Sequence, residues 1–390
     1  MLLHSKCRRR VNCTGQATRS PAPPRADCIF DLTSMFIRCA AVLSLLLCVV
    51  AAARAQNPKP PFPYQSPYQS IEVSYQNQAG GVKLAGTLTL PRGGGRFPAA
   101  ILISGSGAED RDETILGHKP FLVIADYLSR RGIAVLRVDD RGVGGSTGDA
   151  MKATLQDQAG DVLTGVEFLK GRADIDPRRI GVIGHSEGGI IASIAASGSM
   201  SISFVVMLGG PGVPGIQVLR LQEDMILRAA GADDAAIAKN RAAADMMVEA
   251  IQSEPDNQTA LAKIRTRLDE MKSPMPDAAI QAQIAMLRAP ETQSALAYDP
   301  AEALGKLKVP VLALIGSKDV QVPPQQNLPA ISAALKAGGN KDFTVRELPG
   351  LNHLFQRCDK CTIAEYSTIE ESFSPVALEI VGDWVKLHTR

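Results

Sequence analysis

The stretch "GVIGHSEGGII", residues 181–191, places a serine between two glycines, directly after a β-branched apolar run and directly before a run of small apolar residues. Such a segment predicts a sharp turn from a strand into a helix, with Ser186 at the turn. Gly184 and Gly188 provide the space that so tight a turn requires. The Ser186 hydroxyl would then point outward at the end of a strand, where a nucleophile is accessible.

The same Gly-x-Ser-x-Gly pattern occurs a second time, at residues 144–148 within "DDRGVGGSTGD". So short a pattern arises easily by chance in a chain with 34 glycines, so the context has to separate the two copies. Ser146 follows its strand by several residues, and no helix begins directly after it. We therefore predict that Ser186 is the nucleophile and that Ser146 belongs to a structural glycine-rich loop.

Around this turn, short β-branched runs alternate with helix-period segments, which predicts an α/β fold with a mostly parallel, doubly wound sheet. Two further strands joined by an Ala-Gly-Gly turn precede the alternation and predict an antiparallel hairpin at a sheet edge. The predicted strands are residues 71–78, 82–90, 99–103, 133–138, 180–183, 204–208, 309–315 and 343–348, and the predicted helices are 120–130, 155–170, 188–196, 325–335 and 375–387.

One block, residues 215–303, contains Ala-rich helical segments separated by Pro and Gly and no convincing strand. An insertion after the sixth strand is expected above the carboxyl ends of the strands, as a helical lid. Six of the 11 methionines of the chain lie in this block. They would either line an adaptable apolar pocket or only pack the lid helices together.

A serine hydroxyl needs a base to remove its proton, and in the chain order Ser, acid, His that base follows the serine. Only His353 and His388 follow Ser186, and His388 lies close to the end of the sequence. His353, in "LPGLNHLF", comes directly after the last predicted strand. We predict that His353 is the general base.

The imidazole in turn needs a carboxylate that fixes its tautomer and stabilises its protonated form. Asp319, in "VLALIGSKDVQVP", directly follows the penultimate strand at the same sheet edge. Asp299 and Glu347 are weaker alternatives, because Asp299 lies at the exit of the lid and Glu347 is still inside a strand. We predict a Ser186, Asp319 and His353 triad.

The tetrahedral intermediate of such a reaction needs hydrogen-bond donors for its oxyanion. The backbone N–H of Glu187, directly after the nucleophile, is expected to be one donor. The second is expected from the loop "ILISGSGAEDRDE", where Ser106 is the natural candidate.

The same loop carries an acidic cluster that resembles a metal site at first sight. Carboxylates next to an oxyanion loop more often hold the loop through Arg111 or backbone amides, and a serine mechanism needs no metal or other cofactor. We therefore expect neither a metal nor a cofactor. The cluster consists of Glu109, Asp110, Asp112 and Glu113, with His118 nearby.

Taken together, these residues resemble the α/β-hydrolase superfamily, and within it exported bacterial esterases related to the prolyl-aminopeptidase-like hydrolases. The resemblance covers residues 71–390 and rests on "SGSGAEDRDETILGHKPF", "RVDDRGVGGSTGD", "IGHSEGG", "GSKDVQVP" and "LNHLFQ", in that order. It implies a Ser186, Asp319 and His353 triad with Ser106 and Glu187 at the oxyanion. The segment "QRCDKCTIAEY" after His353 departs from the expected pattern.

The amino-terminal part predicts export. Residues 1–55 combine a basic, Pro-rich extension with a signal peptide at about 35–55, in which a short basic start precedes an apolar run and an Ala-Arg-Ala exit. The apolar run is too short for a membrane span, which needs about 20 residues. A Pro/Gln/Tyr-rich linker, residues 56–70, separates this part from the hydrolase domain, residues 71–390. We expect a periplasmic or secreted protein without a stable membrane span after cleavage.

Composition is in line with this interpretation. Lys and Arg number 42 and Asp and Glu 40, a balance that excludes nucleic acid as an expected partner and favours a small-molecule ester. Five of the seven cysteines precede the predicted cleavage site, and the remaining two, Cys358 and Cys361, are expected to form a local disulfide rather than a redox or zinc site. Oligomeric state leaves no signal in the sequence.

The predicted function is hydrolysis of carboxylic esters through an acyl-serine intermediate. A serine aminopeptidase is the alternative within enzymes, since it shares the triad but must also bind an ammonium group, for which Glu187, Glu109 and Asp110 are candidates. A binding protein on a hydrolase scaffold is the alternative outside enzymes, and it would be expected to have lost a triad residue.

Overall fold

A computed structural model describes residues 67–390 of the 390-residue chain. The predicted extension and signal peptide, residues 1–55, and most of the predicted linker lie outside the described residues. The first strand begins at Tyr68, three residues before the predicted boundary of the domain at residue 71. Tyr68 belongs to the strand because its backbone pairs with Pro91 at the end of the neighbouring strand.

The centre of the fold is an eight-stranded sheet with the order β1-β2-β4-β3-β5-β6-β7-β8. The hairpin of β1 and β2 pairs antiparallel and lies at one edge, as predicted, and β2 is also antiparallel to β4. All other neighbours are parallel. The strands are β1 Tyr68–Asn77, β2 Val82–Pro91, β3 Phe97–Ile103, β4 Ala134–Val138, β5 Ile175–His185, β6 Val205–Leu208, β7 Val311–Gly316 and β8 Phe343–Leu348.

Helices cover both faces of this sheet, which explains why the central strands are apolar without alternation. On one face, α2, α3 and α10 share a buried cluster with the sheet. On the other face, α1 and α11 do the same. The helices of the described chain are α1 Pro120–Arg130, α2 Leu155–Lys170, α3 Glu187–Ser197, α4 Gly215–Ala229, α5 Asp234–Ser253, α6 Asn257–Glu270, α7 Asp277–Arg288, α8 Pro290–Ala297, α9 Ala301–Leu304, α10 Pro324–Ala337 and α11 Pro375–His388.

The insertion between β6 and β7 consists of the helices α4 to α9, in agreement with the predicted absence of strands. Helices α5, α6 and α7 bury an apolar cluster of their own, to which Met246 and Met247 belong. Met271 and Met275 pack against the same cluster. These four methionines therefore pack the helices of the insertion together, which was one of the two interpretations considered.

The insertion is attached to the sheet domain by its two ends. Val218 of α4 packs with Ile315 of β7 and with Val322, which follows β7. Ser294 of α8 accepts a hydrogen bond at 3.1 Å from the backbone N–H of Leu155, the first residue of α2. No helix within residues 67–390 is both long and apolar enough to cross a bilayer.

Candidate active site

Ser186 stands at the turn between β5, which ends at His185, and α3, which begins at Glu187. Its φ of 54° lies in the left-handed region that is unfavourable for a residue with a side chain. The Ser186 N–H donates to the carbonyl of Leu208 at 2.8 Å, which fixes the turn against the end of β6. The sequence therefore folds locally as predicted, into a strained strand-to-helix turn.

The two glycines of the pattern are required by close backbone approaches. A Cβ atom on Gly184 would lie 2.0 Å from the carbonyl oxygen of Gly188, and one on Gly188 would lie 2.2 Å from that of Ile103. Neither contact can relax by moving a side chain, because both oxygens belong to the backbone. The turn thus brings α3 directly onto the end of β3.

The structure brings His353 and Asp319 together. Both are buried, and the Nδ1 of His353 lies 2.7 Å from Oδ2 of Asp319. The other oxygen of Asp319, Oδ1, accepts the N–H groups of Gln321 and Val322, each at 2.8 Å. In the tautomer in which Nδ1 of His353 donates to Oδ2 of Asp319, Nε2 of His353 is free to accept a proton.

The alternative acids lie elsewhere. Asp299 caps the short helix α9 by accepting the N–H of Ala301 at 3.0 Å. Glu347 lies on β8 with its side chain exposed. Asp319 is therefore the carboxylate that orients His353.

Ser186 belongs to the same cluster, although its hydroxyl makes no hydrogen bond to His353 among the described residues. His185, the neighbour of Ser186, packs its ring 4.7 Å from the ring of His353, measured between centroids. A Cβ on Gly209, which follows β6, would lie 3.2 Å from Cε1 of His353, so the ring sits tightly over this residue. Asp319 and His353 are therefore hydrogen-bonded to each other in this structure, whereas no hydrogen bond joins His353 to Ser186 among the described residues.

The two predicted oxyanion donors have unused N–H groups. Within residues 67–390, neither the backbone N–H of Ser106 nor that of Glu187 forms a hydrogen bond. Glu187 is the first residue of α3, a position whose N–H has no partner within the helix. Gly105, next to Ser106, approaches the nucleophile so closely that a Cβ on it would lie 3.2 Å from Cβ of Ser186.

The acidic loop is held by backbone amides, as expected, but its Arg111 pairs with Asp139 and Glu72, which lie outside the acidic cluster. Asp139 accepts from Nε and Nη2 of Arg111, at 3.0 and 2.7 Å, and from its N–H. Asp140 accepts from Ser104 and from the N–H of Glu109. Burial would raise the pKa of Asp139, but Arg111 outweighs it and lowers the pKa below the ordinary value.

Sequence reasoning missed two buried pairs beside the nucleophile. Nδ1 of His185 lies 2.8 Å from Oε1 of Glu113. Glu187 of α3 faces Glu291 of α8, and both side chains are buried. Burial and the Glu291 carboxyl raise the pKa of Glu187 well above its ordinary value, and its Oε1 has no hydrogen-bond partner. No spacing in the sequence indicates these contacts, although His185 does adjoin the nucleophile.

The loop that follows His353 is closed by a disulfide between Cys358 and Cys361, as the sequence predicts. The carboxylate of Glu365 accepts three successive N–H groups of this small loop, from Asp359, Lys360 and Cys361. The unexpected cysteine segment is therefore a compact turn on the base-bearing loop.

This fold and site define a serine hydrolase of the α/β-hydrolase superfamily, which confirms the resemblance to that superfamily. More narrowly, residues 80–344 match the X-Pro dipeptidyl-peptidase (S15) family, and the chain belongs to it. Membership of a family does not fix the substrate, because one fold and site support several acyl-transfer reactions.

Two relatives differ in how much of this chain they match. Esterase EstD of Thermotoga maritima is 37% identical over 139 residues, which are 36% of this chain and 33% of that protein, so the chain matches about a third of its length. An uncharacterized 31.7 kDa protein of the traX-finO intergenic region of Escherichia coli is 24% identical over 309 residues, 78% of this chain and 96% of that protein.

Two solved structures share the fold, each with a TM-score of 0.50. An α/β hydrolase of Penicillium sp. is 18% identical and covers 83% of this chain and 99% of its own. An esterase of Pyrococcus furiosus is 17% identical and covers 87% of this chain and 100% of its own. At these identities the likeness shows the fold alone.

Proposed function

We propose that the protein hydrolyses carboxylic esters through an acyl intermediate on Ser186. The observation that carries this proposal is the Asp319–His353 hydrogen bond beside a serine held in a strained turn at the same edge of the sheet. The similarity to esterase EstD supports an ester as the substrate.

In this mechanism Nε2 of His353 accepts the Ser186 proton while the oxygen attacks the ester carbonyl. The Asp319 carboxylate stabilises the imidazolium that forms. The N–H groups of Ser106 and Glu187 stabilise the oxyanion. His353 then donates its proton to the leaving alcohol and activates the water that releases the acid.

A panel of substrates on the purified protein tests this proposal. Short-chain aryl esters should be hydrolysed, and a fluorophosphonate probe should label the wild type but not Ser186→Ala. A folded wild type that neither turns over esters nor takes up the probe would favour a binding protein on a hydrolase scaffold.

A second candidate function is release of amino-terminal residues from peptides. The buried Glu187–Glu291 pair favours it, because two adjacent carboxyls with one unpartnered oxygen could receive the ammonium group of a peptide. Aminoacyl anilides compared with aryl esters separate the two functions. A preference for the anilide, lost in Glu291→Gln while ester hydrolysis persists, would replace the esterase proposal with the peptidase.

We also propose that the protein is exported to the periplasm or secreted. The signal-like segment at residues 35–55 supports this, and so does the Cys358–Cys361 disulfide, since disulfides persist mainly in oxidising compartments. Amino-terminal sequencing of the mature protein should give Gln56 as the first residue. A cytosolic protein that retains residues 35–55 would contradict export.

A further inference from the structure

A second buried carboxylate–imidazole pair lies beside the Asp319–His353 pair. Glu113 and His185 are only 1% and 4% exposed. Oε1 of Glu113 contacts Nδ1 of His185 at 2.8 Å and also accepts the N–H of Gly105 at 2.9 Å. Nε2 of His185 donates to the backbone carbonyl of His353 at 3.0 Å. One chain of hydrogen bonds therefore joins the oxyanion loop, the nucleophile strand and the base-bearing loop.

The hydrogen-bond partners define the protonation of His185. A carbonyl oxygen only accepts, so Nε2 carries a proton, and Nδ1 faces a carboxylate that accepts as well. When Nδ1 donates as well, the ring is an imidazolium and Glu113 supplies its counter-charge. Burial alone would lower the pKa of His185, but the Glu113 carboxylate and the His353 carbonyl outweigh it, and the pKa is raised above its ordinary value.

Both ends of this chain reach groups that the reaction uses. Gly105 lies against Ser186 and precedes Ser106, whose N–H is a proposed oxyanion donor. The carbonyl at the other end belongs to His353, the proposed base. Glu113 itself has a φ of 51°, which is unfavourable for a residue other than glycine, and the loop adopts it while directing the carboxylate at Gly105 and His185.

We infer that Glu113 and His185 are positioning residues, which hold the oxyanion loop and the base-bearing loop in fixed positions relative to Ser186. This inference rests on the proposed function, because it concerns the same site. Neither residue contacts the substrate in this scheme. Each acts through the backbone of a residue that does.

Glu113→Gln is the first test, on the full-length protein with its best aryl ester. The amide has almost the same shape, but its single oxygen cannot replace the carboxylate in the ion pair with His185. We expect kcat to fall on the order of 100-fold, as for the loss of one oxyanion donor, with a much smaller change in KM.

The pH profile of kcat/KM is a second test, because it would not change if Glu113 had only a structural role. The charged and titratable groups around the His353 ring are Asp319, the hydroxyl of Tyr366 and the His185–Glu113 pair. Without Glu113 the His185 ring becomes neutral, and the base no longer faces a positive charge 4.7 Å away. The acid limb of the kcat/KM profile of Glu113→Gln should therefore move to higher pH.

Two substitutions at His185 separate the two ends of the chain. The His185→Asn amide can donate where Nδ1 does, towards Glu113, and the His185→Gln amide can donate where Nε2 does, towards the His353 carbonyl. Each keeps one link and loses the other, so both should lower kcat. Glu113→Gln combined with His185→Gln should cost little more than the worse single change, since both break the same link.

Glu167→Gln, which removes an exposed carboxylate on α2, is the matched control and should leave kcat unchanged. Thermal midpoints identify any variant that is unfolded at the assay temperature. If Glu113→Gln is one, the two His185 variants decide. Wild-type kcat in the folded Glu113 and His185 variants would overturn the inference alone, whereas a wild type inactive on esters would overturn the proposed function as well.

Discussion

The two copies of Gly-x-Ser-x-Gly have the same sequence pattern, but their serines differ in burial, backbone conformation and hydrogen bonding. Ser146 is buried, and its hydroxyl donates to the carbonyl of Asp139 at 2.8 Å and accepts the N–H of Ala85 at 2.9 Å. Ser186 is half-buried, stands at a φ of 54°, and has no such backbone partners for its hydroxyl. The first serine closes a loop onto the hairpin, and the second presents its oxygen to the site.

The difference shows that the surrounding secondary structure decides the role of the motif. At residues 184–188 the pattern spans the end of β5 and the start of α3, so both glycines are needed for backbone contacts. At residues 144–148 it lies in a loop, where Gly144 and Gly148 adopt positive φ values. The two glycines of the 184–188 copy therefore permit close approach of the backbone, whereas those of the 144–148 copy adopt turn conformations and also leave room for the side chains of Asp139 and Val82.

Ser186→Ala should give the largest effect of any single change. Removing the nucleophile is expected to lower kcat on the order of 10⁶-fold, while the thermal midpoint stays close to that of the wild type because the hydroxyl has no structural hydrogen bond. Ester hydrolysis and thermal unfolding of the two variants Ser186→Ala and Ser146→Ala measure this. Comparable activity losses in both would remove the distinction between the copies.

Asp319→Asn should come next. An Asp-to-Asn change in a Ser-His-Asp triad favours the wrong histidine tautomer, and a fall in kcat on the order of 10⁴-fold is expected. Asp139→Asn is the matched change beside the first copy, where the carboxylate binds Arg111 and the N–H of Gly145. It should act mainly on the free energy of unfolding. An equal loss of kcat in Asp319→Asn and Asp139→Asn would contradict a specific role of Asp319 in orienting His353.

Ser146→Ala should affect stability rather than chemistry. It leaves the N–H of Ala85 without a partner in a buried position, which costs about 1–3 kcal/mol. Denaturant titration gives the change in unfolding free energy, and kcat per folded molecule should be unchanged. A stable Ser146→Ala protein would indicate that water or a shifted loop replaces the hydroxyl.

The smallest expected effect is on the pH dependence of stability, to which both copies contribute. Burial raises the pKa of Asp140, in the first loop, to about 7, and the pKa of Glu187, in the second copy, is also raised. Such acids ionise at lower pH in the unfolded chain than in the folded protein. Their contribution to stability is therefore complete below the pKa of the unfolded chain and is lost as pH rises through the pKa of the folded protein. We expect the thermal midpoint to fall between about pH 5 and pH 8.

Asp140→Asn and Glu187→Gln should each flatten this decline, because the substituted amide does not titrate. Unfolding scans across the pH range, with Glu167→Gln as the control for loss of an exposed carboxylate, provide the measurement. A decline that is equally steep in all variants would place its cause in other groups.

Much of the fold follows from the sequence because each buried strand is a continuous apolar run with clear ends. Helices α1 and α2 have the predicted bounds. Strand β5 begins at Ile175, five residues before the predicted start at residue 180. The prediction began too late because "IDPRR" contains a proline and two arginines, which are not typical of a buried strand. Ile175 still pairs with Phe97, across a shift in the register of β3 and β5.

Some residues of the candidate site could be predicted from the sequence, and others could not. Ser186, Asp319 and His353 could be placed together from the sequence because each lies in the loop or turn that follows a strand, and the ends of parallel strands meet at one edge. Glu113–His185 and Glu187–Glu291 could not, because these contacts join residues 72 and 104 positions apart through loop and helix packing. The chain order Ser, acid, His also points only to histidines after Ser186, whereas His185 directly precedes it.

The position of the insertion has an evolutionary consequence. Its chain leaves the sheet after β6 and returns before β7, and α5, α6 and α7 pack on an apolar cluster that contains no residue of the sheet. Changes inside that cluster can therefore accumulate without disturbing the strands that carry nucleophile, acid and base. The packing of these three helices on one another is therefore insulated from the packing of the sheet.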